Sequence, residues 1–450
     1  MTAAPAEHLD GERLAWVDKA QQHVRPDRLR ELVRALVERP SPTGQELAVA
    51  AWAVEQLRRG GAAAHVQRFG GAGSANAVGR LPGSGEGADL LLYAPIDTWT
   101  TGEPEQDLPW ASPAWRADLA AAPVDDGPYV TGLGAGNPKG HAACVLAAVE
   151  AVAAAGIPLA GDLVAGFGGG GMPTQAPAGS APGSGHGAGA WHLLEQGGTT
   201  DLAVIAKPGW TASHEEVGLA WVEVAVEGTH TYVGSRHRIA YRSALADAAA
   251  VVTSLERWAP RWAEQRTRGT CAPQVVVSAV DSGQTRELAG TPALVRVLLD
   301  VRLSPGTTAP EAVRAVRRQV AAVAAERQGM AARTRLIVSV PGSHTDPGSP
   351  VVRSAVAAWE ADEQRSHAPA TGTSGATDAN VLRLRGVPTV RIGMPKVADP
   401  RVNHDFTSGM NSVDVREMER LTRLLVRVAV DLCTRPADEV LMSRPPVSSS

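Results

Sequence analysis

Cysteine is nearly missing from this chain of 450 residues: Cys144, Cys271 and Cys433 are all there is, and they lie far apart. They make no CxxC zinc pattern and no disulfide framework. Cys144 falls in an apolar helical run, where a thiol behaves as a small buried hydrophobe. Phenylalanine is equally scarce, and lysine is sparse beside arginine. No apolar run reaches the roughly 18 residues that a membrane span needs. The opening residues MTAAPAEHLDGERLAW have neither a basic n-region nor an apolar h-region, so the expectation is no secretory leader and a reducing, cytoplasmic setting. A net charge of −4 gives no general pull toward nucleic acid or an anionic membrane. HExxH and GxSxG are absent. GLGAGNPKG fails as a phosphate loop because Lys139 is followed by glycine, not Ser or Thr.

What is present is globular. Hydrophobic residues make up 44% and charged residues 20%, and the length calls for two domains. Residues 27–40 show helical spacing, with Leu29, Leu32, Val33, Leu36 and Val37 on one face. Pro40 and Pro42 break that helix, and Thr43 with Glu46 has capping-box spacing for the next. ADLLLYAPID, GDLVAGFGGGG and DLAVIAKPG read as strands buried on both faces, alternating with helices in PKGHAACVLAAVEAVAAAG and AWHLLEQG. This alternation predicts an α/β domain with a mostly parallel sheet flanked by helices. The Gly/Pro/Ser-rich stretch 172–189 reads as a loop inserted over the sheet.

After residue 217 the pattern changes. LAWVEVAVEGTHTYV alternates apolar and polar residues, 243–258 is helical, and PQVVVSAV, TPALVRVLLDVRL, a helix and RTRLIVSV follow. This β-α-β-β-α-β set predicts an inserted α+β, ferredoxin-like domain. The predicted division is 1–217 and 339–442 for the larger domain, 218–338 for the insert, and 443–450 for a disordered tail.

At this point the chain resembles the M20 family of zinc aminoacylases and peptidases, the relatives of acetylornithine deacetylase and succinyl-diaminopimelate desuccinylase. LVERPSPTGQE, LLLYAPIDT, GLGAGNPKGHAACVLAAVEA, DLAVIAKPG, LLDVRLSP, SGATDANVLRLRGVPTVRIGMP and NHDF occur in the family's order over nearly the whole chain. The resemblance implies that the insert is a lid and dimerisation domain, that the protein is a homodimer, and that the substrate is a small molecule. It also implies two zinc ions held by two His and three carboxylates, with a Glu as general base. Here those positions depart from the pattern. The first His position is Pro95, the bridging carboxylate is Asn137, the Glu pair falls at Gly170 and Gly171, and the next acidic ligand is Lys207. His404 persists, and Asp97 stands as a former supporting group. One donor cannot hold zinc, and an ammonium repels it. The expectation is therefore no metal and no cofactor.

Polar residues gather around the lost positions. Lys207 puts a cation where a metal cation was held, suited to an oxyanion or a carboxylate; it is equally suited to a structural ion pair with Asp97. Glu215 and Glu216, at the predicted hinge, are candidate bases beside His404, or else a solvated acidic turn. His141 opens a helix where an anion can bind, or is an ordinary polar helix-start residue; Asn137, which would stabilise an anion with Lys207, and Lys139 precede it as further substrate-binding candidates. His186 lies among glycines that let backbone approach a ligand, or is a solvated loop histidine. Tyr232, Arg236, His237 and Arg238 fall where the family reaches across to a partner subunit, and arginines suit carboxylates; a basic surface loop has the same composition. Ser374, Thr377 and Asp378 border the family's carboxylate pocket, or cap a helix. Three readings stay open: a metal-independent enzyme cleaving an amide-like C–N bond of a small polar carboxylated substrate, a repurposed scaffold for cyclisation, elimination or C–C cleavage, and a non-catalytic binder. The clustered Lys, His and Glu favour an enzyme.

Overall fold

The computed structural model describes residues 9–107, 122–175, 180–181, 183–397 and 410–442. It divides into two compact units. One takes the chain up to His214, Thr345–Pro369 and the chain from Thr377; the other takes Glu215–His344 with Ala370–Ala376. The sequence reading put the crossings at 217/218 and 338/339 and did not set 370–376 apart.

The first unit is built on a six-stranded sheet. Its strands are β1 (Ala63–Arg68), β2 (Ala75–Leu81), β3 (Leu90–Pro95), β4 (Leu163–Gly168), β5 (Leu202–Ala206) and β6 (Thr389–Ile392), in the order β1-β2-β4-β3-β5-β6. The last four in that order are parallel, and β1 and β2 add an antiparallel edge. β3 is buried along its whole length. Leu90, Leu92 and Ala94 join the core that includes the helices Pro26–Val37, Gly140–Ala154 and Val415–Cys433. Leu91 and Tyr93 face the core of the helices Ala188–Glu195 and Ala379–Leu384. A strand with apolar residues on both faces is what a sheet covered on both sides requires. Gly140–Ala154 is apolar all round because it is buried nearly all round.

The second unit is the expected β-α-β-β-α-β set. Its antiparallel strands run in the order Val275–Asp281, Leu294–Leu303, Gly218–Glu227, Ala331–Val340. The helices Ala244–Arg266 and Ala309–Glu326 cover one face. Thr308 and Glu311 form a capping box at the second helix.

Two sequence expectations are corrected here. The capping box at Thr43 and Glu46 does not form. The helix begins at Leu47, and Glu46 makes no side-chain cap, because both side chains are drawn to other partners described below. The helix expected to end at Trp258 continues to Arg266 through Pro260. The buried Trp258 and Trp262 hold the continuation against the core, which offsets the missing proline N–H.

Candidate active site

In a parallel sheet, ligands bind beyond the carboxyl ends of strands where successive connections diverge. β3 is such a point, since the chain goes from β3 to its neighbour β4 on one side and then to β5 on the other. Asp97 follows β3, Gly169–Met172 follow β4, and Lys207 follows β5. Topology alone therefore brings these residues to one end of the sheet.

Asp97 is fully buried. Its Oδ2 accepts the Thr43 hydroxyl at 2.7 Å and the Met172 N–H at 3.0 Å. Its Oδ1 accepts the Gly171 N–H at 2.8 Å. Burial pushes the carboxyl up, against the downward pull of Thr43, Met172, Lys207 and Gly171. Lys207 is 5% exposed. Its Nζ donates to Asn137 Oδ1 at 3.1 Å and lies 3.7 Å from Met172 Sδ. Asn137 in turn directs Nδ2 to Met410 Sδ at 3.1 Å. Asp97 and Lys207 thus meet at Met172, and Asn137 joins them through Lys207.

The other candidates of the first unit fall around this centre in different roles. Lys139 is fully buried, and its ammonium donates to the Arg39 carbonyl at 2.9 Å. Burial pushes it down to about 7. His141 accepts the Met394 N–H through Nε2 at 3.2 Å. Burial, with the Lys207 charge behind it, pushes it down to about 3, so the ring is neutral at physiological pH. The backbone N–H of His186 donates to the Met172 carbonyl at 3.1 Å, which binds the 183–187 turn to the loop after β4. Asp378 accepts the Tyr93 hydroxyl at 2.7 Å and does not cap its helix. Thr377 Oγ1 accepts the Ala379 N–H at 3.2 Å, as a helix-start residue does. His404 lies outside the described residues.

The remaining candidates belong to the second unit. Glu215 accepts the Thr270 N–H. Glu216 is buried and pairs in register with Ser343. Ser374 Oγ accepts the Gln274 N–H at 3.1 Å. Tyr232 is 62% exposed and precedes the turn Val233–Arg238. There Arg236 stacks 4.4 Å over the Tyr241 ring, and Arg238 reaches His237 at 3.4 Å.

Three residues of this candidate site escaped the sequence reading. Thr43 was assigned to a helix cap, and its hydroxyl instead holds Asp97. Glu46 is fully buried, and its Oε1 accepts N–H groups from Gly44 at 2.6 Å and Gly170 at 3.0 Å. Burial, and then the Asp97 charge, push it up to about 8. Tyr93 looked like one more apolar strand residue. Burial and Asp378 raise its phenol well above the ordinary value, so it remains a donor.

The donor set can be tested against a pair of zinc ions. Pro95 has no donor atom, Asn137 is neutral, and Lys207 offers only a cation. The loop after β4 has no room for acidic side chains: a Cβ at Gly171 would lie 2.5 Å from Asp378 Oδ2 and 2.7 Å from Pro95 Cβ. At Gly170, where φ is +63°, it would strike the Ser184 carbonyl. These residues do not fit two dications. Among the described residues, no group of three or more His, Cys, Asp or Glu is placed to hold a metal ion.

No family model matches the chain. In structure it is similar to human carnosine dipeptidase 1, with a TM-score of 0.69 and 15% identity over 93% of this chain and 99% of that one. It is also similar to an M20 family metallo-carboxypeptidase from Sulfolobus solfataricus, at TM-score 0.66 and 11% identity over 91% and 99% of the two chains. An amidase of the hydantoinase/carbamoylase family from Burkholderia multivorans matches at TM-score 0.60 and 14% identity over 92% and 99%. The chain has the M20 peptidase fold.

Proposed function

We propose that this chain, folded as the M20 peptidases are, is a metal-independent enzyme that acts on an amide-like C–N bond of a small, polar, carboxylated substrate. The observation that carries the reading is Lys207: a buried ammonium at the carboxyl end of β5, bonded to Asn137 Oδ1 and within the field of Asp97. A preorganised cation in a low-dielectric site stabilises charge developing on a carbonyl oxygen. Cleavage of a C–N bond also moves a proton to the leaving nitrogen. His404 is the candidate base for that transfer, to be tested by substitution. A homodimer belongs to the same proposal.

The test is metal analysis of the purified protein, with turnover of N-acyl amino acids and dipeptides measured with and without chelator. The expected result is chelator-resistant turnover, lost by about 10²–10³ in Lys207→Ala, the usual cost of one oxyanion donor. Stoichiometric zinc, or activity abolished by chelator, would overturn metal independence. A second reading rests on the same lysine: an ammonium stabilises an anion whether or not water attacks, which suits elimination or cyclisation as well. Products formed in heavy-oxygen water separate the two, since only hydrolysis incorporates the label.

A further inference from the structure

The three consecutive amides after β4 are divided between two acids. Gly170 N–H donates to Glu46, while Gly171 and Met172 donate to Asp97. Donation from neighbouring amides brings the two carboxyl groups within each other's field, both fully buried. Two like charges so placed cannot both persist away from water. The hydrogen bonding is unequal. Asp97 receives donors on both oxygens, from Thr43, Gly171 and Met172. Glu46 receives its donors on Oε1, and its Oε2 is buried with no hydrogen-bond partner. An oxygen that accepts no hydrogen bond is the one a proton can occupy without displacing a donor.

We propose that Glu46 and Asp97 form a carboxyl dyad that holds one proton, on Glu46 Oε2, and leaves Asp97 as the charged member. The other charged or titratable groups around it favour the same distribution. Lys207 acts on Asp97 and favours its anion. Asp378, on the far side of Tyr93, adds negative charge and so opposes a second ionisation. The neighbouring His141 is neutral, and Lys139 is directed to the Arg39 carbonyl. Glu46 thus acts through Asp97 as a positioning residue that keeps the dyad at one negative charge beside the Lys207 ammonium. Only its consequence for turnover rests on the function proposed above: activity falls as Glu46 ionises, and Glu46→Gln removes that alkaline limb.

The test is carboxyl-carbon NMR of the full chain, with labelled Glu and Asp, titrated from pH 5 to pH 10. This needs no substrate and so stands or falls apart from the enzymatic reading. The expected result is one glutamate titrating far above the ordinary carboxylate range, absent from Glu46→Gln and shifted down in Asp97→Asn, where the neighbouring charge is gone. No such glutamate in the wild-type chain would overturn the dyad, whatever the variants do. So would an elevated titration that Asp97→Asn leaves in place.

Discussion

Lysine is rare in this chain, with four among 450 residues, and two of the four, Lys139 and Lys207, are buried in the first unit. Their partners decide what each can do. Lys139 faces a backbone carbonyl and ties Arg39 to the start of a helix. Lys207 faces a side-chain amide, a thioether and the field of a carboxylate. Sequence singled out Lys207 by its place at a lost ligand position, but held no sign that Lys139 is directed to a backbone carbonyl. The second unit offers a simpler case. Asp247 is 1% exposed and accepts Arg242 Nε and Arg327 Nε, the latter at 2.6 Å. Replacing it with Ala leaves two guanidinium groups without their shared anion. Each is partly exposed, so water relieves part of the loss. We expect Asp247→Ala to cost about 2–4 kcal/mol by urea unfolding, with no change in the Glu46 titration; a loss under 1 kcal/mol would show the pair to be ornamental.

At the scale of elements, the loop after β4 is the distinctive part. Gly169, Gly170 and Gly171 make it a strip of bare backbone pressed between Glu46, Ser184, Asp378 and Pro95. Even one methyl group has nowhere to go. Gly171→Ala is expected to destabilise by about 1–3 kcal/mol, the usual range for overpacking, and Gly171→Glu to gain no zinc affinity. Calorimetric titration with zinc checks the second point, and stoichiometric binding by Gly171→Glu would contradict it. The fold around this loop was legible because its signals are redundant. β3, β4 and β5 are continuous apolar runs, helices separate them, and the second unit switches to strict alternation. The candidate site was legible only where a residue broke the local pattern. Asp97 and Lys207 stand out as charges at the ends of apolar strands. Glu46 and Thr43 match a capping box in spacing, a local pattern that describes them well until the Asp97 carboxylate and the Gly170 amide outcompete the helix end. Tyr93 hides inside a run where any apolar residue would serve. The group Tyr232 to Arg238 stood out by charge, and the structure places it on an exposed turn.

For the whole molecule, Glu46 links folding to pH. Its carboxyl goes from an ordinary 4.5 to about 8 in the fold. The folded state therefore binds the proton more tightly than the unfolded chain. This contribution to stability is complete below about pH 4.5 and is lost as pH rises toward 8. His141 and Lys139, both pushed down by burial, act in the opposite sense, the first between about 3 and 6.5 and the second between about 7 and 10.5. Comparing the wild-type chain with Glu46→Gln cancels both of these and isolates the glutamate. The two should be near equal in stability at pH 5. The variant should gain by roughly 1.4 kcal/mol per pH unit above that, as an upper slope, and level off past pH 8. Urea melts at pH 5, 7 and 9 measure this; a gap that does not change with pH would exclude the linkage.

The segment Ala370–Ala376 gives the molecule a further property. The chain leaves the second unit at His344 and returns to it for these residues before leaving again. On that return, Thr373 exchanges backbone hydrogen bonds with Thr270 and Ala272, at 2.9 and 2.8 Å, and Ser374 receives Gln274. A piece cut out as 215–344 would lack this clasp. Its backbone groups at 270, 272 and 274 would be exposed, open to any short extended peptide that offered the same pattern. In the intact chain that role is filled by a segment tethered at both ends, at an effective concentration on the order of millimolar. Competing peptides in solution therefore meet an edge that is already taken, and a single proteolytic nick leaves the two units still joined.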